Sequence, residues 1–240
     1  QAALGSVPRS IDDPQTSHDV NVNGFINILE AARKEGITKI AYASSSAVYG
    51  DSEVSPKKEE ITGKLLSPYA ATKMTNELYA EVYAKNYDMS LTGFRYFNVF
   101  GPKQDPSGAY AAVIPIFMSH AIKGEAPTIN GDGSISRDFT PVANVVSANW
   151  LALTVDRPLG HNVYNVASGD STSLLNLWEL ISSIVGNPAE KVIFGSVRKG
   201  DILFSLADIG AIKSDLGYQE DSDLRKALER ATDYYRETVG

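Results

Sequence analysis

The chain contains no cysteine, which excludes disulfides, thiolate metal centres and thiol nucleophiles. Histidine is scarce too: His18, His120 and His161 stand far apart without ligand-type spacing, so no catalytic metal is expected. No apolar run approaches the roughly 20 residues that cross a bilayer, and no charged-then-apolar leader opens the chain. Basic residues are outnumbered, 22 Lys and Arg against 29 Asp and Glu, giving a net charge of −7. Such a field repels nucleic acid and anionic membranes, so neither is an expected partner, and an anionic ligand has to be gripped by a few local arginines. The cytoplasm is the expected compartment. Also missing is any Gly-x-x-Gly-x-x-Gly run, the loop that cradles a dinucleotide pyrophosphate at a helix N-terminus.

What is present is a globular composition of 240 residues, 43% hydrophobic and 21% charged, enough to bury a substantial core. From Pro14 to Glu35 apolar residues recur at helical spacing (Val22, Phe25, Ile26, Leu29, Ala32), with Gly36 as a stop. Lys39-Ile40-Ala41-Tyr42-Ala43 reads as a short buried parallel strand, 51–66 as a polar loop, and Pro68 as the start of a helix reaching about Tyr87. Ser90 to Val99, rich in aromatic and β-branched residues, predicts another strand, closed by Phe100-Gly101-Pro102. Further on, helices are expected over about 112–123, 142–153 and 223–236, with strands over 162–167 and near 192–194. Alternation of helix and strand predicts an α/β fold with a doubly wound parallel sheet.

The chemistry lies in Ser67-Pro68-Tyr69-Ala70-Ala71-Thr72-Lys73, which follows the strand-end serines Ser44, Ser45 and Ser46. A phenol and an ammonium at i and i+4 share one helix face. A tyrosine of pKa about 10 must shift by about three units, or about 4 kcal/mol, to act as a base near neutrality. One ammonium at about 4 Å supplies nearly that at an effective dielectric of about 20, so Lys73 is expected to do most of the work, and a cationic nicotinamide to add more. Ser45 or Ser46 would hydrogen-bond the same substrate oxygen.

These residues, with Ala2 to Ser10, Asn21-Val22-Asn23-Gly24, Ala43 to Gly50, Arg95 to Gly101, Ser136-Arg137-Asp138-Phe139 and Arg198-Lys199-Gly200-Asp201, resemble the extended, nucleotide-sugar-modifying short-chain dehydrogenase/reductases. The likeness is to UDP-hexose 4-epimerases, among them UDP-N-acetylglucosamine 4-epimerases. It implies that the sheet is Rossmann-like but lacks its first strands, and that a smaller C-terminal substrate-binding α/β domain follows. The expected division is 1–105 with 138–168 for the sheet domain, and 106–137 with 169–240 for the other. The resemblance further implies epimerisation through a 4-keto sugar with NAD as cofactor and a UDP-sugar as partner. By that resemblance the catalytic residues are Ser45, Ser46, Tyr69 and Lys73. The cofactor would lie against Ala2, Ala3, Leu4, Ser44, Tyr69, Lys73 and Tyr96, and the substrate against Ser6, Ser45, Asn98, Arg137, Arg198, Asp201 and Ser205. Ser205 stands where the family limits pocket size, and a small side chain there leaves room for an N-acetyl group.

Departures from the family bear on these expectations. The first strand, the glycine-rich loop and the acidic residue for the adenine ribose are missing, and residues 1–7 read as the exit of a buried strand, so a fragment is expected. Such a fragment should show little activity until a segment of roughly 80 residues is restored. Val20 occupies a position that is often polar in relatives. Related dehydratases carry an Asp-Glu pair where this chain has Ser46-Ala47, so water elimination would lack its machinery. A non-catalytic descendant has no physical need for Ser45, Tyr69 and Lys73 together. The resemblance also implies a homodimer formed through the helices over 14–35 and 68–87.

Overall fold

The computed structural model describes residues 1–107, 111–156, 160–187, 191–196 and 204–239. Gln1 to Leu4 form no strand, and Gln1, Ala2 and Ala3 are exposed. Helix α1 (Val7–Asp12) is capped by Ser6, and α2 (Pro14–His18) by Asp13. A π-helical turn (Asp19–Asn23) then leads into α3 (Gly24–Lys34). The single helix expected over 14–35 therefore carries a widened turn, which turns the buried Asn21 inward to bind the main chain of Leu4.

Strand β1 (Lys39–Ala43) is followed by a 3-10 turn (Ser46–Tyr49) and Gly50. Gly50 has φ +54°, and a Cβ there would lie 2.0 Å from the Lys64 carbonyl oxygen, so only glycine lets the 51–66 loop fold back so closely. Helix α4 (Pro68–Tyr87) starts with the Ser67 hydroxyl accepting from Ala70 N and with proline in the first turn, where no N–H is needed. Strand β2 (Ser90–Tyr96) stops short of the expected Val99. Asn98, at φ +28°, turns the chain into β3 (Val99–Phe100), an angle asparagine tolerates better than most residues.

The rest comprises α5 (Val113–Lys123), β4 (Thr128–Asn130), β5 (Ser136–Arg137), β6 (Thr140–Pro141), α6 (Val142–Thr154) and β7 (His161–Val166). These are followed by β8 (Thr172–Ser173), α7 (Leu174–Val185), β9 (Ile193–Gly195), β10 (Phe204–Ser205), α8 (Gly210–Leu216) and α9 (Leu224–Val239).

The described part of the main sheet runs β1-β2-β7, all parallel, with Ala43 beside Phe94 and Tyr96 beside Val166. Side chains alternate across it. Ile40, Tyr42 and Leu91 pack with α3 and α4, whereas Ala41, Phe94 and Tyr96 join the cluster of Ala148 and Ala152 on α6. Helices thus cover both faces, as in a doubly wound sheet. On α6, Val146, Trp150 and Leu153 point outward and are exposed. A separate core joins Phe100, Phe117, Leu177, Trp178, Leu228 and Tyr235 from β3, α5, α7 and α9. Beside it β5 pairs with β10 and β8, and β4 with β9. Among the described residues no helix is long and apolar enough to cross a membrane.

Candidate active site

The site grows from the carboxyl ends of β1 and β2, where open α/β sheets bind ligands. Tyr69, Lys73 and Glu77 are spaced at i, i+4 and i+8, so they stand on one face of α4. Each meets a different residue at the end of β1. The Tyr69 phenol faces the Ser45 side chain, whose hydroxyl acts to lower its pKa. The Lys73 ammonium donates to the Ala43 carbonyl at 2.9 Å. Glu77 accepts from the Ser44 hydroxyl. Ser45 itself is extended (φ −159°, ψ 147°), and its hydroxyl caps the 3-10 turn by accepting from Ala47 N at 3.1 Å, while Ser46 starts that turn. Ser10 fixes the helix from outside, its hydroxyl accepting from Tyr69 N at 3.0 Å.

The electrostatics differ from the expectation in one respect. Lys73 is 3% exposed and lies 5.9 Å from the Tyr69 ring centre. Its ammonium is aimed at a carbonyl, and burial lowers its pKa to about 8. The phenol's pKa is raised, because burial disfavours the phenolate more than the nearby Ser45 hydroxyl favours it. The lysine alone therefore does not acidify the phenol, and further positive charge beside the ring is required.

Behind the strand end, Arg95 on β2 grips Glu77 with two hydrogen bonds, 3.0 and 2.7 Å long, both side chains 6% exposed. The same guanidinium donates to the Glu59 carbonyl at 2.9 Å and lies 4.9 Å over the Tyr49 ring. Burial works against its charge, but Glu77 outweighs that and the guanidinium pKa is raised.

Ala2 and Ala3 line an apolar groove of about 240 Å³ with Phe25, Ala43, Lys73 and Asn76. Asn21 holds Leu4 N at 2.8 Å and Leu4 O at 3.1 Å, and also donates to the Thr72 hydroxyl at 3.1 Å, so this loop is tied to α4. The Tyr96 hydroxyl accepts from Asn149 at 2.8 Å, and Gln1 donates to Asn149 at 3.0 Å. The residues present fit the nicotinamide-ribose end of a dinucleotide: Lys73 has committed one of its N–H bonds, and small side chains leave space beside it. Ser44 could meet such a group through its backbone, its hydroxyl being turned away to Glu77. Ser6 is occupied as a helix cap, accepting from Arg9 N at 3.2 Å. Val20 is exposed.

A second pocket, about 180 Å³, is lined by Asn98, Arg137, Asn130, Phe117 and Leu174. Register places Ser205 on β10 directly beside Arg137 on β5. Ser205 is 8% exposed. Arg198 and Asp201 lie outside the described residues.

Asp138, fully buried, ties this pocket to the sheet. Its carboxylate accepts from Ser168 N, Gly169 N and Ala207 N at 2.9, 3.1 and 3.4 Å, and its carbonyl accepts from the Asn98 amide at 3.3 Å. Desolvation dominates these bonds and raises its pKa from 3.8 to about 6. Asp138 is therefore protonated more readily in the folded state than in the unfolded chain. Its stabilisation is complete below pH 4 and is lost as pH rises from about 4 to about 6, on the order of 3 kcal/mol. Urea unfolding of wild type and Asp138→Asn should show the difference, wild type minus variant, falling across that window. A pH-independent difference would contradict the assignment.

Asn21, Ser10, Glu77, Arg95, Asp138 and Asn149 were not among the candidates from sequence. Glu77 carried a readable signal, since it repeats the Tyr69–Lys73 spacing once more.

A model of the NAD dependent epimerase/dehydratase family matches residues 1–167. The UDP-glucose 4-epimerase of Mycolicibacterium smegmatis is 36% identical over 98% of this chain and 74% of its own length. The solved UDP-N-acetylglucosamine 4-epimerase of Methanobrevibacter ruminantium, in complex with UDP-N-acetylmuramic acid, superposes with a TM-score of 0.94 at 37% identity, covering 99% of this chain and 76% of that one. The Thermus thermophilus UDP-glucose 4-epimerase, in complex with NAD, gives 0.86 at 31% identity, covering 98% and 76%. This chain thus spans about three quarters of the length of these relatives.

Proposed function

From the premise that the chain belongs to the NAD dependent epimerase/dehydratase family, we propose that it inverts C4 of a UDP-N-acetylhexosamine, interconverting UDP-N-acetylglucosamine and UDP-N-acetylgalactosamine. The observation that carries the reaction type is the phenol of Tyr69 meeting the Ser45 hydroxyl, with the Lys73 ammonium buried beside them. NAD, when bound, supplies the hydride acceptor and donor that passage through a 4-keto sugar needs, and its cationic ring supplies the positive charge the phenol lacks. Tyr69 takes the O4 proton as the carbonyl forms and returns it once the opposite face is reduced. Ser45 holds O4 throughout and steadies its developing charge. Lys73 orients the cofactor ribose and keeps the local charge positive. Arg137 and Asn98 hold the nucleotide diphosphate, since a guanidinium matches a phosphate in a bidentate manner, and Arg198 and Asp201 are carried over as further contacts.

The substrate class rests on Ser205 being small and fixed beside Arg137. Overfilling that space should discriminate against the bulkier sugar. Ser205→Tyr is expected to lower kcat/KM for UDP-N-acetylglucosamine roughly a hundredfold while sparing UDP-glucose. Chromatographic assay of both sugars with NAD checks this, and equal losses for the two would refute the role of Ser205. Turnover of UDP-glucose but not of UDP-N-acetylglucosamine by the unmodified protein would overturn the substrate assignment.

A homodimer is supported by the outward stripe of α4, where Leu78 and Val82 are exposed, with Ile11 and Ile28 also exposed on the neighbouring helices. Leu78→Glu should yield a monomer in sedimentation analysis.

A further inference from the structure

The Ser45–Tyr69 contact spans two elements, a strand end and a helix, and neither side chain fixes the gap between them. Lys73 closes one rung of that gap through Ala43. The other rung is the Ser44 hydroxyl on Glu77, one residue before Ser45 and two helical turns after Tyr69. We infer that Glu77, held by Arg95, is a positioning residue that works through Ser44 to hold Ser45 in place beside Tyr69.

Four observations support this latch. Ser44 and Glu77 are 3% and 5% exposed, so water does not substitute for either partner. Ser44 N is bonded to Phe94 O at 2.8 Å, which leaves its side chain as the group that ties this turn to the helix. Arg95 takes both carboxylate oxygens of Glu77 and so fixes the acceptor's orientation. That guanidinium also donates to the Glu59 carbonyl and covers Tyr49, the last residue of the turn that Ser45 caps. Both ends of the Ser45 turn are therefore referenced to one ion pair. Neither Glu77 nor Arg95 lies in the groove that contains Lys73 or in the pocket of Arg137, so their part is geometric.

The inference rests on Ser45 and Tyr69 being the reacting pair, and the test separates the two ideas. Ser44→Ala removes the rung without stranding a charge. It is expected to lower kcat for UDP-N-acetylglucosamine at least tenfold with KM within threefold, because the nucleotide pocket is untouched. Ser44→Thr keeps a hydroxyl and should restore kcat to within threefold. Ser44→Val, its isostere without the hydroxyl, should not, and this pair decides the matter even if Ser44→Ala misfolds. A crystal structure of Ser44→Val should show Ser45 displaced from Tyr69 relative to the unmodified protein, a readout independent of turnover. An unchanged Ser45–Tyr69 separation in that structure, or equal kcat for the threonine and valine variants, overturns the latch. Undiminished turnover by Tyr69→Phe would instead remove the catalytic assignment beneath it, leaving the crystallographic arm to decide the latch alone.

Discussion

Tyr69→Phe is expected to lower kcat at least a hundredfold, the lower end of what a positioned proton-transfer group contributes, while the affinity for the UDP-sugar changes by no more than a few-fold. The reason is local. The ring stays in place because its main-chain N–H is held by Ser10 and the helix start by Ser67. What is lost is the atom proposed to exchange a proton with O4. Lys73 is not expected to replace it, because its ammonium is directed at the Ala43 carbonyl and not at the Tyr69 phenol position. Calorimetric titration with the UDP-sugar beside a turnover assay separates binding from chemistry. A variant that still turns over at a tenth of the wild-type rate would place the proton transfer elsewhere.

The effect of Lys73 follows from the same geometry. Burial holds the phenol's pKa up and brings the lysine down to about 8, so at neutral pH the unliganded site holds a neutral tyrosine and a lysine that is still mostly protonated. In the proposed reaction the base would form only when positive charge arrives beside the ring, which would confine proton transfer to the assembled complex.

Arg95→Met is expected to cost roughly 3–5 kcal/mol of unfolding free energy, because it leaves the Glu77 carboxylate buried without its cation. With native domains stable by about 5–15 kcal/mol, such a loss is a large fraction of the total and should appear as a much lower urea midpoint. Neutralising both partners, Glu77→Gln with Arg95→Met, should recover much of the loss, since the penalty belongs to an unpaired buried charge rather than to the missing attraction. The two single variants and the double form a mutant cycle. A loss below 1 kcal/mol for Arg95→Met would mean that water reaches the carboxylate, contrary to its 5% exposure.

Much of this protein was legible in its sequence, for reasons that can be named. The helix Pro68–Tyr87 was announced by a proline at its first position, where no N–H is needed, and it forms over the expected span. Strand β1 also forms over its expected span. Strand β2 ended early because Asn98 takes a positive φ that no residue pattern announces, and the helix over 14–35 widened at Asn21 because a loop distant in sequence competes for that side chain. Residue types and spacing along one helix determined the phenol and ammonium pairing, because the helical period places i and i+4 together wherever the helix sits. Tertiary structure alone decided that Lys73 points at Ala43, that Glu77 shares a charge with Arg95 from another element, and that Ser205 stands beside Arg137 across a strand pair. Each of these depends on burial and on contacts between segments far apart in the chain. Local spacing does not encode them, and they set the charge on the groups that do the chemistry.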